Sequence, residues 1–99
     1  MKVVVSFTEP AQRDLKKLTE QQQRQFTTAM RTKLIPAWES GIFPRGLGFK
    51  KMQGVPADIW EARWAPDGRI TWQYTDSAVI EIRAVLIRRV GTHDIYRSP

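Results

Sequence analysis

The sequence has no cysteine and only one histidine, His93. Without thiols there can be no disulfide framework and no thiolate metal site, and one imidazole cannot build a histidine-based zinc centre. Long apolar runs are missing as well. Val3, Val4 and Val5 after Lys2 are too few for the core of a signal peptide, and no stretch approaches the length of a membrane span. These absences exclude a disulfide-stapled secreted module and leave no reason to expect a metal, a cofactor or a membrane partner; a soluble cytoplasmic protein is the expectation. Acidic residues are the scarcer charge, ten Asp and Glu against sixteen Lys and Arg, and the net charge of +6 favours polyanions such as nucleic acid or an acidic protein. The 99 residues show no internal repeat and no linker, so residues 1–99 read as a single domain.

The chain opens on a β-branched stretch, Val3 to Phe7, that reads as a strand. Thr8 follows as a helix N-cap, with Glu9 and Pro10 in the first turn, where a carboxylate suits the helix dipole and the missing N–H of proline is harmless. Ala11, Leu15 and Leu18 make the apolar face of this helix, and Arg13, Asp14, Lys16 and Lys17 fall mostly on the other. Thr19 with Gln22 has the capping-box spacing, so the first helix should stop at Leu18 and a second begin at once, making a helical hairpin. Phe26, Met30, Leu34 and Trp38 recur every four residues as a core stripe, and Pro36 should kink or thin the last turn.

Beyond the loop Gly41 to Gly48 the hydrophobic period changes to two. Ile59 to Trp64 and Arg69 to Thr75 read as strands joined by a tight turn at Pro66, Asp67 and Gly68, and Val79 to Val90 as a further strand after a turn at Asp76 and Ser77. Trp60, Ala62, Trp64, Ile70, Trp72 and Tyr74 share one face; Glu61, Arg63, Arg69, Thr71 and Gln73 share the other. The expected fold class is α+β, with an N-terminal strand and helical hairpin packed on one face of an antiparallel sheet.

Several residues can carry chemistry, and each also has a plain structural reading. His93 can move a proton at neutral pH and Tyr96 can stack on a base, or His93 simply caps the tail. Arg69 can clamp a phosphate with its planar fork, or sit as an exposed hairpin charge. Glu61 can accept a proton, or pair with Arg63. Lys50 and Lys51 can attract backbone phosphates, or face bulk water. Arg83, Arg88 and Arg89 add affinity for a polyanion, or protect an edge strand.

The order of these pieces resembles the RelE-like toxins of the RelE/ParE superfamily: strand, helical hairpin, a Lys50-Lys51 step before Gly54, an Ile59-Trp60-Glu61 strand ending in Arg63, a Gly68-Arg69-Ile70 strand with Trp72, and a Gly91-x-His93-x-x-Tyr96 tail. The likeness runs from Phe7 to Tyr96 and rests on the order of short motifs. It implies a metal-independent, ribosome-dependent messenger RNA endoribonuclease, the toxin of a type II toxin–antitoxin pair, held in a hetero-oligomer by an acidic cognate antitoxin. By the same resemblance Lys50 and Lys51 match a basic pair, Arg69 an arginine opening a central strand, and His93 and Tyr96 a C-terminal catalytic stretch; Arg63, Arg83 and Arg89 are further candidate RNA contacts by their charge alone. The implied reaction is attack of a ribose 2′-hydroxyl on the adjacent phosphate, with His93 as acid, Arg69 and Lys50 or Lys51 as phosphate stabilisers, Tyr96 stacking, and Glu61 the base by its chemistry. Two alternatives stand beside it, a ParE-like inhibitor of DNA gyrase and an RNA-binding domain without catalysis.

Overall fold

The computed structural model describes residues 1–75 and 80–99. The turn expected at Asp76 and Ser77, and Val79 at the start of the last expected strand, lie outside the described residues. Strand β1 (Lys2–Phe7) leads into helix α1 (Glu9–Lys17), whose N-terminus is capped as expected: the Thr8 hydroxyl accepts from the Ala11 N–H at 3.2 Å. Helix α2 (Glu20–Ala29) opens with a complete capping box, in which Thr19 and Gln22 exchange hydrogen bonds of 2.9 and 3.1 Å.

Side chains four apart on an α-helix drift by about 40° per step. The stripe Phe26, Met30, Leu34 and Trp38 nevertheless stays buried, because Met30–Leu34 form a wider π turn in which the Ile35 N–H reaches the Met30 carbonyl. Pro36 follows this turn, and helix α3 (Ile35–Ser40) continues beyond it to Gly41, which takes the left-handed conformation that ends the helix. The expected disturbance at Pro36 is thus met by widening the preceding turn.

The remaining strands are β2 (Lys50–Lys51), β3 (Trp60–Arg63), β4 (Arg69–Thr75) and β5 (Ile82–Gly91), in the spatial order β1-β5-β4-β3-β2. The apolar face expected from alternation is the one the helices cover: Ala62, Trp64, Ile70 and Trp72 pack with Phe26, Leu34 and Trp38, including edge-to-face contacts of Phe26 on Trp64 and Trp38 on Trp72.

Three expectations need correction. The sheet is mixed rather than antiparallel, because β1 lies parallel to β5, from Lys2 opposite Ile82 to Phe7 opposite Ile87. For the same reason β5 is an interior strand, and its arginines do not guard an edge. Asp14, expected on the solvent side of α1, is buried at 8 % relative exposure. Three residues after Ala11, it lies on the inward face, and its carboxylate accepts from the Val90 N–H at 3.0 Å and pairs with Arg89. Strand β1 ends at the level of Ile87, so the next backbone groups of β5 lack a neighbouring strand there. Asp14 and Thr8 supply the missing partners, the latter by donating from its hydroxyl to the Arg88 carbonyl at 2.7 Å.

Candidate active site

The second sheet face is only partly open. After β5 the chain makes a 3-10 turn, His93–Arg97, capped by the Thr92 hydroxyl, and folds back over this face. Ile95 is buried, and its Cγ2 would lie 2.8 Å from a Cβ at Gly91, so the tail can approach this closely only over glycine.

This fold-back closes a small pocket of about 150 Å³ lined by Gly48, Lys50, Glu61, Ala62, Arg63, Arg69, His93 and Tyr96. Five separate segments meet there: the turn before β2, β2 itself, β3, the start of β4 and the tail. The pocket has room for a phosphate group.

Arg69 reaches the pocket through the β3–β4 turn. The turn closes with Gly68 N–H donating to Ala65 at 3.0 Å, and the Arg69 Nη1 donates to the carbonyls of Pro66 and Gly68 at 2.9 and 3.0 Å. Of the two readings of Arg69, the exposed hairpin charge is therefore overturned: Arg69 is 8 % exposed and its guanidinium is anchored by the turn it follows. The Trp64 indole locks the same corner by donating to the Arg69 carbonyl at 2.9 Å.

Glu61 pairs across the strands with Lys50 at 3.5 Å, rather than with Arg63. The carboxylate side chain is 13 % exposed and the lysine 70 %, so the pair has one foot in the pocket and one in solvent. Tyr96 stands on the other side of Glu61. Burial first, then the negative charge of Glu61 and a hydrogen bond with it, push the Tyr96 phenol up to about 12, against the opposing pull of Arg69 and Arg63. It stays a neutral hydrogen-bond donor across the physiological range. The His93 ring meets Tyr96 edge-on at 5.0 Å between centroids, on the exposed rim.

The other RNA contacts expected from the sequence lie apart from this pocket. Lys51 pairs with Asp58 at 2.9 Å on the outer edge of the sheet. Arg83 lies over the Tyr74 ring at 5.2 Å. Arg89, expected to contact RNA, instead makes a two-pronged pair with Asp14, at 2.7 and 3.1 Å, which holds its guanidinium above its usual pKa through that hydrogen bond. Gly48 and Ala62 also line the pocket; lacking reactive groups, they carry no signal that composition or spacing can reveal. Among the described residues no group of His, Asp and Glu side chains is placed to hold a metal ion.

No family model and no curated sequence matches the chain. Solved structures do. The Mycobacterium tuberculosis RelBE2 toxin–antitoxin complex is similar at 22 % identity and a TM-score of 0.68, over 94 % of this chain and all of the matched one (100 %). The Escherichia coli DinJ-YafQ toxin–antitoxin complex is similar at 18 % identity and a TM-score of 0.69, over 95 % of this chain and 96 % of the matched one. A YoeB/ParE toxin from Agrobacterium tumefaciens is similar at 14 % identity and a TM-score of 0.67, over 94 % and 99 %. The likeness spans the whole architecture, from β1 through the helical hairpin and the sheet to the tail, and the chain has the fold of the RelE/ParE superfamily toxins.

Proposed function

We propose that the protein is the toxin of a type II toxin–antitoxin pair and acts in the cytoplasm as a ribosome-dependent endoribonuclease on messenger RNA. The observation that carries this reading is the convergence of Lys50, Glu61, Arg69, His93 and Tyr96 on one small pocket. The groups supply a proton acceptor, a proton donor and fixed positive charge, which is the full requirement for cleaving RNA at its own 2′-hydroxyl.

In this mechanism Glu61 takes the proton of the 2′-hydroxyl as its oxygen attacks the adjacent phosphorus. The bond from phosphorus to the 5′-oxygen breaks, and His93 gives a proton to that leaving oxygen. The products are a 2′,3′-cyclic phosphate and a free 5′-hydroxyl. Arg69, held in place by its turn, and Lys50 stabilise the charge that builds on the phosphorane. Such preorganised charge gains most in a partly dry site. Tyr96, neutral and packed against Glu61, orients the carboxylate and offers a face for a base. The reaction uses no metal, and the donor set of one imidazole, one carboxylate and cationic side chains suits an anion rather than a cation.

The partner is an acidic antitoxin whose disordered segment folds across the basic surface or around the helical hairpin. Complexes named among the similar structures support this part of the reading. Co-expression with the product of the neighbouring gene should give a complex and restore growth.

The deciding experiment is inducible expression of wild type and a His93→Ala variant, with the 5′ ends of cellular messenger RNA mapped within minutes. Loss of the proton donor should lower cleavage about a hundredfold or more. A loss under about tenfold in a folded variant removes His93 from the mechanism. Intact RNA together with inhibited gyrase would replace this reading with the ParE-like one, and salt-sensitive RNA binding without cleavage would leave a binding domain.

A further inference from the structure

In a regular strand, neighbouring side chains point to opposite faces. Arg88 and Arg89 are neighbours in β5, yet both reach the same short piece of tail: Arg88 Nε donates to the Pro99 backbone oxygen and Arg89 Nη1 to the Ser98 carbonyl, each at 3.1 Å. The cause is a β-bulge. Thr71 faces Arg89 and Trp72 faces Ile87, which leaves Arg88 as the extra residue, and an extra residue re-aims the side chains around it.

Both arginines are braced from behind. Arg88 Nη1 donates to the Gln73 side-chain oxygen at 2.6 Å, and its carbonyl accepts from Thr8. Arg89 is held by both carboxylate oxygens of the buried Asp14, which also takes the next backbone N–H, from Val90. A chain of charge-assisted hydrogen bonds therefore runs from α1 through the bulge to the end of the tail that carries His93 and Tyr96.

We propose that Asp14, Arg88 and Arg89 form a strap that fixes the tail from its far end, and that all three are positioning residues for His93 and Tyr96. The proposal rests on the ribonuclease reading for its kinetic consequence and on geometry alone for its structural one. The tail is anchored on one side by Ile95 over Gly91 and on the other by the two carbonyls. With the second anchor gone, the turn bearing His93 hinges on Gly91 and the proton donor loses its fixed distance to the pocket. Displacements of such a group by an ångström are costly to rate, not to binding.

Two variants and two measurements test this. One is a chain ending at Arg97, which removes the carbonyls and leaves the Asp14–Arg89 pair and the core untouched. The other is Arg88→Gln with Arg89→Gln. Backbone heteronuclear NOEs should show residues 93–97 becoming mobile in both while the sheet keeps its wild-type values. In single-turnover cleavage on ribosomes programmed with a defined messenger RNA, the saturating rate constant should fall about tenfold to a hundredfold while half-saturation moves less than about twofold. A tail that stays ordered in the truncated chain overturns the strap. An increased half-saturation with an unchanged rate constant also overturns it, showing that the arginines hold RNA. Should wild type cut no RNA, the ribonuclease reading fails by itself, and the NOE comparison still decides the strap.

Discussion

Tyr96 is the residue whose ionisation the surroundings change most visibly. Its folded pKa of about 12 lies above the ordinary phenol value of 10.0, so folding favours the protonated form. The stabilisation is fully present below pH 10 and is lost as the pH rises through 12. Replacing Tyr96 by Phe should therefore make the stability less sensitive to pH in that alkaline window and remove a phenolate step near pH 12 from an absorbance titration. At the same scale, Lys50 is an exposed cation of the pocket and pairs with a carboxylate that is not exposed. Lys50→Ala should lower the magnitude of the slope of log affinity against log salt for single-stranded RNA by about 0.7, the value for one phosphate contact. An unchanged slope would mean that the lysine serves Glu61 alone.

Two local elements can each be broken by adding a single methyl or removing a single hydroxyl, and only the first of them bears on the site. A Cβ at Gly68 would lie 2.5 Å from the Trp64 ring, and that ring is wedged between Phe26 and the Arg69 carbonyl. Gly68→Ala should cost about 1–3 kcal/mol in denaturant unfolding, the usual range for overpacking, and should loosen the carbonyl that anchors Arg69. Thr19→Ala removes one arm of the capping box of α2 and should cost about 1 kcal/mol, with cleavage unaltered. These elements are also the ones legible in the sequence. The caps at Thr8 and Thr19, the core stripe of α2 and the tight turn after Trp64 are local, decided by residues a few positions apart. Asp14 escapes such reading because its partner Arg89 lies 75 residues away, and a carboxylate on an inward helix position looks like a surface charge until that partner is known. Arg69 escapes it from the other direction: its anchors, Pro66 and Gly68, are local, but the tail that buries the corner is not.

At the scale of the whole molecule, the mixed order of the sheet decides where the pocket lies and which parts of it need one another. The bulge, the parallel pairing of β1 and the identity of β5 as an interior strand have no periodic signature, since alternation within a strand says which face a residue takes but not which strand is its neighbour. The parallel pairing also sets a clock on synthesis. Lys2 waits for Ile82, and the pocket needs His93 and Tyr96 later still, so a growing chain holds Lys50, Glu61 and Arg69 long before it can arrange them. Contacts this far apart in sequence form late, after the loop between them has been closed. If the protein cuts messages on ribosomes, the ribosome making it is the first one it could damage, and this order of assembly would leave the nascent chain inactive until His93 and Tyr96 can fold onto the pocket.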